Sequence, residues 1–332
     1  MRIAILYNKP SERFANDETY IAAETDTEES AVEVKEALTD KGADAALFPV
    51  TETSIPNVVA SIRADLIFNL IEWTGVDTKY AMQTFDEMNR RNLRYTGATK
   101  ENYHDTCDKI ITKRLCKKFG LPTASWQEFE TGNEEIDPSL TYPMIVKIAS
   151  EHSSVGIEKD SVVRNSVELA RVVTERVSRY QAPVFAETFL SGREFQVTLL
   201  EERDGVRVLP PAEIIYRKGT DVPLLTYNSR WDEKNREYLN SDVRVAKSDD
   251  QVVRNLFGIC RNAYGLLGFR DYARFDIRCD ANGTPYFLEL NSNPGLGDDD
   301  EYGMTLSYKA AGMTFADFIW KIVTSAKRRY GI

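Results

Sequence analysis

YARFDIRCD (272–280) and PYFLELNSNPG (285–295) decide how this chain is read. Along a strand side chains alternate, so Ala273, Phe275 and Ile277 face one way and Arg274, Asp276 and Arg278 the other. In the second stretch the same alternation groups Phe287, Glu289 and Asn291 opposite Tyr286, Leu288 and Leu290. Asn282-Gly283 between the two predicts a two-residue hairpin turn, which sets Asp276 opposite Glu289 and Arg274 opposite Asn291. Two carboxylates facing each other across a ladder repel, so the arrangement makes sense around a cation. Two carboxylates and an amide oxygen, completed by water and nucleotide phosphates, suit a small hard octahedral ion such as magnesium. Taken alone, the same residues also suit a solvated hairpin laced by arginine–carboxylate pairs. The NSNPG that follows the strand favours the metal.

Upstream, Lys147 ends the apolar run MIV and precedes the small-residue stretch 149–156, whose amides and hydroxyls could close over phosphates. It is not a Walker loop, and a lysine beside a serine-rich turn is a weak signal without the hairpin. MIVKI (144–148), a helix over 166–180 and VFAET (184–188) predict a small α/β lobe. Beyond it come a strand at 194–200, a polar stretch over 218–247, an amphipathic helix over 249–267 and a last helix over 314–326. The 218–247 stretch is long enough to predict a lid or substrate loop.

The chain opens differently, with short apolar strands at 2–7, 45–50 and 66–70 around helical spacing at 28–41. Gly42 caps that helix, and the alternation predicts a parallel sheet with helices on its faces. Thr106 or Asp105 can cap a helix that runs through Asp108-Lys109 to Phe119 and stops at Gly120 and Pro122. We therefore expect an N-terminal α/β unit over 1–103, a central lobe over 104–190 and a C-terminal lobe carrying the hairpin over 191–332.

A chain of 332 residues, 42% hydrophobic and 28% charged, is long enough for two or three packed units. The net charge of −10 opposes nucleic acid, so any phosphate must be gripped locally. No run of eighteen apolar residues occurs, and the opening MRIAILYNKP turns polar too soon for a signal peptide. No membrane partner and a cytoplasmic location are expected. The four cysteines show neither CxxC spacing nor nearby paired histidines, which argues against zinc and dithiol redox chemistry.

YPMIVKIASEHSSVGIEK (142–159), VFAETFLSGREFQV (184–197) and the two hairpin strands follow one another in the order and spacing of D-alanine–D-alanine ligases, which the chain resembles from Tyr95 onward. The resemblance implies the ATP-grasp fold, α/β and α+β, in which two α+β lobes clasp ATP behind an N-terminal α/β parallel-sheet domain. It implies that Lys109 and Lys147 bind ATP phosphates and that Ser153 and Ser154 lie in the loop closing on the reacting groups. Glu187 and the Phe189-Leu190 backbone would meet the adenine, Glu194 the ribose hydroxyls, and Leu288 would pack on the base. Asp276, Glu289 and Asn291 would hold magnesium, two ions with manganese as a substitute, in agreement with the facing read from strand alternation. Arg274 would stabilise the charge that develops during transfer, and Arg230 would contact the γ-phosphate. The implied reaction joins a carboxylate to an amine through an acyl phosphate, releases ADP and phosphate, and in the family serves cell wall biogenesis. Partners would be small-molecule carboxylates and amines, amino acids among them, with a homodimer as the assembly.

The chain departs from that family at four places. His152 replaces the glycine of the usual EGSSVG loop. The opening LYNKPSERF (6–14) and FNLIEWTGVD (68–77) lack the glycine-rich start with its glutamate and the HGxxGEDG segment. Of Glu24, Asp26, Glu72 and Asp77, Glu72 is the chosen substitute for a lost ammonium partner. After NSNPG the family's serine is replaced by an acidic run over 298–301, where Asp300 could attract an amine instead. A ligase for another amino acid or amine, as in dipeptide or natural-product synthesis, is therefore an alternative. A small-molecule kinase and a silent nucleotide-binding module are others; the second predicts that a metal ligand or cation is missing, and Lys147, Arg274, Asp276, Glu289 and Asn291 are all present.

Overall fold

The computed structural model describes residues 1–10, 18–151, 154–217, 219–220, 222–226 and 241–332, without the side chains of 18–26. Ser153, Arg230 and His152, and the side chains of Glu24 and Asp26, lie outside the described residues.

The first sheet is built from β1 (Arg2–Asn8), β2 (Asp44–Val50) and β3 (Leu66–Leu70), parallel in the order β2-β1-β3. β1 lies in the middle and is apolar on both faces, as a covered parallel strand must be. Ile3, Ile5 and Tyr7 pack toward α1 (Glu18–Asp40), whereas Ala4 and Leu6 pack toward α2 (Ile55–Ser61) and α3 (Thr78–Arg90). Gly42 leaves α1 in the left-handed conformation expected of it, with φ +78°.

The helix expected to run unbroken into Phe119 is two, α4 (Lys100–Cys107) and α5 (Lys109–Phe119). Asp108 divides them. Its backbone is extended, and its carboxylate accepts the amide hydrogens of Ile110 and Ile111 at 2.8 and 3.0 Å, so Asp108 caps α5 rather than Thr106 or Asp105.

The second sheet has the order β4-β7-β5-β6, from β4 (Trp126–Phe129), β5 (Met144–Ile148), β6 (Val162–Val163) and β7 (Val184–Thr188). α6 (Ser166–Tyr180) covers Met144, Val146, Ile148, Val184 and Ala186. Alternation leaves Ile145, Lys147, Phe185 and Glu187 on the opposite face. The third sheet runs β11-β10-β8-β12-β13, with β9 (Gly205–Val208) paired to the far end of β8 (Glu194–Glu202). Its other strands are β10 (Ala212–Tyr216), β11 (Ser241–Val245), β12 (Tyr272–Cys279) and β13 (Pro285–Asn291). α7 (Gln251–Leu266) packs on Phe195, Val197, Phe275 and Ile277 of one face. α8 (Gly303–Ala310), which the sequence reading did not include, and α9 (Phe315–Tyr330) follow. α9 returns to the first sheet, where Phe318, Ile322 and Val323 share a core with Leu38 and Phe68. Among the described residues no helix is long and apolar enough to cross a membrane.

Candidate active site

The hairpin reaches the expected pairing by an unexpected route. Asp276 stands opposite Glu289 and Arg274 opposite Asn291, but the turn is not two residues. The Asp280 amide donates to the Thr284 carbonyl and the Gly283 amide to the Asp280 carbonyl, so Ala281, Asn282 and Gly283 form a three-residue loop with Gly283 at φ +84°. The register then shifts between Asp276 and Ile277, because Leu288 is an extra residue in β13. The bulge corrects one facing. Phe287 does not share a face with Glu289; it is buried in the core with Phe275 and Ile277, while Leu288 joins Glu289 and Asn291 at the cleft.

That cleft lies between the second and third sheets, and Glu72, just beyond β3 of the first, also lines it. Arg274, Asp276, Arg278, Glu194 and Gln196 line it from β12 and β8, Leu288, Glu289 and Asn291 from β13, Lys147 and Glu187 from β5 and β7, and Phe189 and Leu190 from the segment just after β7. Ser154, at φ +63°, and Lys109 complete the wall. The structure therefore gathers Lys109, Lys147, Ser154, Glu187, Phe189, Leu190, Glu194, Arg274, Asp276, Leu288, Glu289 and Asn291 around one space, with Glu72 also on its wall.

The cleft cations Lys109, Lys147, Arg274 and Arg278 each lie against a carboxylate. Arg274 donates to both oxygens of Asp276 at 2.9 and 3.0 Å, and the Asn291 amide donates to Asp276 Oδ2 at 3.3 Å. Lys109 Nζ lies 3.1 Å from Glu289 Oε1 and also donates to the Glu151 carbonyl. The Lys109 amide bonds to the Ala149 carbonyl, so the start of α5 is fastened to the loop after β5. Lys147 Nζ meets Glu187 Oε1 at 2.7 Å, and Lys113 Nζ meets Glu187 Oε2 at 2.6 Å. Burial raises the Glu187 pKa, but the two ammonium groups outweigh it and hold the carboxyl at about 2.

Lys113 is a residue the sequence reading missed. Its signal was present, since Lys109 and Lys113 are four apart and share one face of α5. Phe189 donates its amide to the Pro143 carbonyl at 2.9 Å. Asp300 is not brought to the cleft: with Asp298 it pairs with Lys309, each at 2.9 Å. Two of the four carboxylates of the acidic run thus share one lysine at the surface. Glu72 follows β3, and its carboxylate lies 3.5 Å from where a Cβ on Gly295 would stand.

The residues fit a magnesium ion shared with phosphate. Asp276 and Glu289 are opposed on adjacent strands beside the Asn291 amide, and Lys109 and Arg274 already counter their charge. Among the described residues no group of three or more His, Cys, Asp or Glu side chains could hold a metal without help. Two carboxylates and an amide leave coordination positions for phosphate oxygens and water, as magnesium usually requires.

Two antiparallel-sheet lobes clasping a cleft behind a parallel α/β sheet make this an ATP-grasp fold. The chain belongs to the D-alanine–D-alanine ligase family: the family profile described as D-ala D-ala ligase C-terminus matches residues 115–324. An uncharacterised protein of Sinorhizobium fredii is 30% identical over 289 residues, 86% of this chain and 82% of its own. The D-alanine–D-alanine ligase of Bordetella pertussis is 28% identical over 298 residues, 88% of each chain. Among solved structures, the D-alanine–D-alanine ligase of Bacillus anthracis superposes with a TM-score of 0.75 at 19% identity, covering 100% of this chain and 99% of that one. The same enzyme complexed with ATP superposes at 0.74 and 18% identity, with the same coverage.

Proposed function

We propose that this chain is an ATP-dependent ligase that joins a carboxylate to an amine through an acyl phosphate and acts from the cytoplasm. The observation that carries the reading is the meeting of Asp276, Glu289 and Asn291 with Lys109 and Lys147 across one cleft. Chemistry that transfers a phosphoryl group needs positioned cations and little else from the protein. Ser153-Ser154, Arg230 and the unit boundaries near 103 and 190 belong to the same reading.

Magnesium held by Asp276, Glu289 and Asn291 would neutralise and orient the phosphate oxygens. Lys147, held by Glu187, and Lys109, held by the Glu151 carbonyl, present their ammonium groups to the phosphate chain. A substrate carboxylate oxygen attacks the γ-phosphorus and ADP leaves. An amine nitrogen then attacks the acyl carbon, loses a proton and expels phosphate, leaving an amide. Arg274, fixed by both oxygens of Asp276, is placed to stabilise the oxyanion of each step. Glu72 is the proposed ammonium anchor at the substrate end, beside Gly295. Family kinship makes two D-alanines the first substrates to try, and the acidic run in place of the family's serine makes other amino acids the next.

The test is Mg-ATP with amino acids singly and in pairs, reading phosphate release and condensed product by mass spectrometry. Amine-dependent phosphate release with a product of the two masses less water supports the reading, and Glu289→Gln should abolish both. Phosphate transferred stably to one substrate, with no amine requirement, would make the chain a kinase.

A further inference from the structure

Arg278 plays no part in the chemistry above, yet it is among the most enclosed charges of the cleft, only 3% exposed. Its Nη1 lies 3.0 Å from Glu194 Oε2, and its Nη2 donates to the Pro223 carbonyl at 2.6 Å. The guanidinium also stacks over Phe189, 4.9 Å from the ring centroid, and over Tyr216 at 5.4 Å. Tyr216 donates its hydroxyl to the same Glu194 Oε2 at 2.7 Å. Arg278 Nε is buried and has no hydrogen-bond partner among the described residues.

These contacts are lopsided. Both donors crowd one oxygen of Glu194, and among the described residues Oε1 accepts no hydrogen bond. A carboxylate fixed by one oxygen presents the other as an oriented acceptor. Through Pro223 the same guanidinium grips the segment whose Leu224 and Leu225 line the cleft. An arginine buried with an unsatisfied nitrogen is a costly way to fill space, which points to function rather than packing.

We propose that Arg278 is the positioning residue for nucleotide-sugar recognition: with Tyr216 it locks Glu194 so that Oε1 accepts a ribose hydroxyl, and it ties that carboxylate to residues 222–226 on the cleft wall. This rests on the ATP reading of the cleft. It makes the chain selective for ribonucleotides, because a sugar lacking the hydroxyl leaves Glu194 Oε1 desolvated and unpaired.

The experiment is calorimetric titration of the full chain with Mg-ATP and with its 2′-deoxy and 3′-deoxy analogues, for wild type, Arg278→Met and Arg278→Lys. Wild type should bind ATP about tenfold or more tighter than at least one analogue, the effect of one hydrogen bond to a charged group. Arg278→Met should bind ATP about tenfold more weakly and lose the discrimination, and Arg278→Lys, which can still pair with Glu194, should recover part of both. A purely structural arginine would lower the melting temperature but leave the ATP-to-deoxy ratio intact, and that result overturns the proposal. So does a wild type that binds all three nucleotides alike. Absence of any Mg-ATP binding by folded wild type would instead remove the nucleotide reading, and the proposal with it. If Arg278→Met does not fold, Tyr216→Phe, which removes the other donor to Oε2, must weaken the same ratio.

Discussion

Glu187 shows how a single buried carboxylate can organise a site. It is 2% exposed and holds two ammonium groups, Lys113 and Lys147, one on each oxygen. Its carboxyl titrates at about 2, below its ordinary 4.5, so its stabilising contribution is complete above pH 4.5 and is lost as pH falls toward 2. Lys113→Met removes one ammonium group, and the carboxyl pKa should rise. The acid limb of a melting-temperature profile should then move to higher pH, with a raised KM for ATP because Glu187, anchored through one oxygen only, holds Lys147 less firmly. An unmoved acid limb would mean that Lys113 does not govern Glu187. A second residue-scale constraint sits at Gly97, with φ +76° and Asn293 Oδ1 only 2.2 Å from where a Cβ would lie. Gly97→Ala should cost about 1–3 kcal/mol in urea unfolding, from the strained backbone alone. It should also disturb the Asn293 side chain, which accepts the Ala98 amide hydrogen at 3.0 Å.

Among the elements, the β12–β13 hairpin decides whether the cleft has a pair of opposed carboxylates. Leu288 is the extra residue that brings Glu289 opposite Asp276 after a three-residue loop. Because side chains alternate with a period of two, removing that residue should turn one flank of β13 over. Deletion of Leu288 should therefore send either Glu289 and Asn291 or Phe287 and Tyr286 to the wrong face, abolishing phosphate release and lowering the urea midpoint. Retained activity would show that the bulge is dispensable. At the start of α5 the Asp108 cap performs a similar service for Lys109. Asp108→Ala should cost about 1 kcal/mol, measured by denaturant unfolding, since two amide hydrogens lose their acceptor.

Across the whole molecule, the substrate end of the cleft depends on how the first sheet is held against the third. Asp271, fully buried and at φ +59°, accepts from Arg329 of α9 through both oxygens and from the Gly97 amide at 2.7 Å. Arg329 also donates to the Tyr95 carbonyl at 2.9 Å. Arg329→Met leaves Asp271 charged and largely unpaired in the interior, and unfolding should become easier by about 3–5 kcal/mol. A loss below about 1 kcal/mol in urea unfolding would mean that the shared apolar core of α1, α9 and β1 holds the sheet without this pair. The alternation of YARFDIRCD, the order of the motifs and the βαβ opening were legible in the residues, because strand period and helix spacing are local properties of the chain. So was the pairing of Asp276 with Glu289, although the turn assumed for it was one residue too short and the bulge made up the difference. What no local pattern carried was the partnership of Lys113 with Glu187, 74 residues apart, or of Arg278 with Glu194 and Pro223. The pairing of Asp298 and Asp300 with Lys309 was equally out of reach. Those depend on which strands become neighbours and how much water they exclude, and only the folded chain sets the distances on which charge pairing depends.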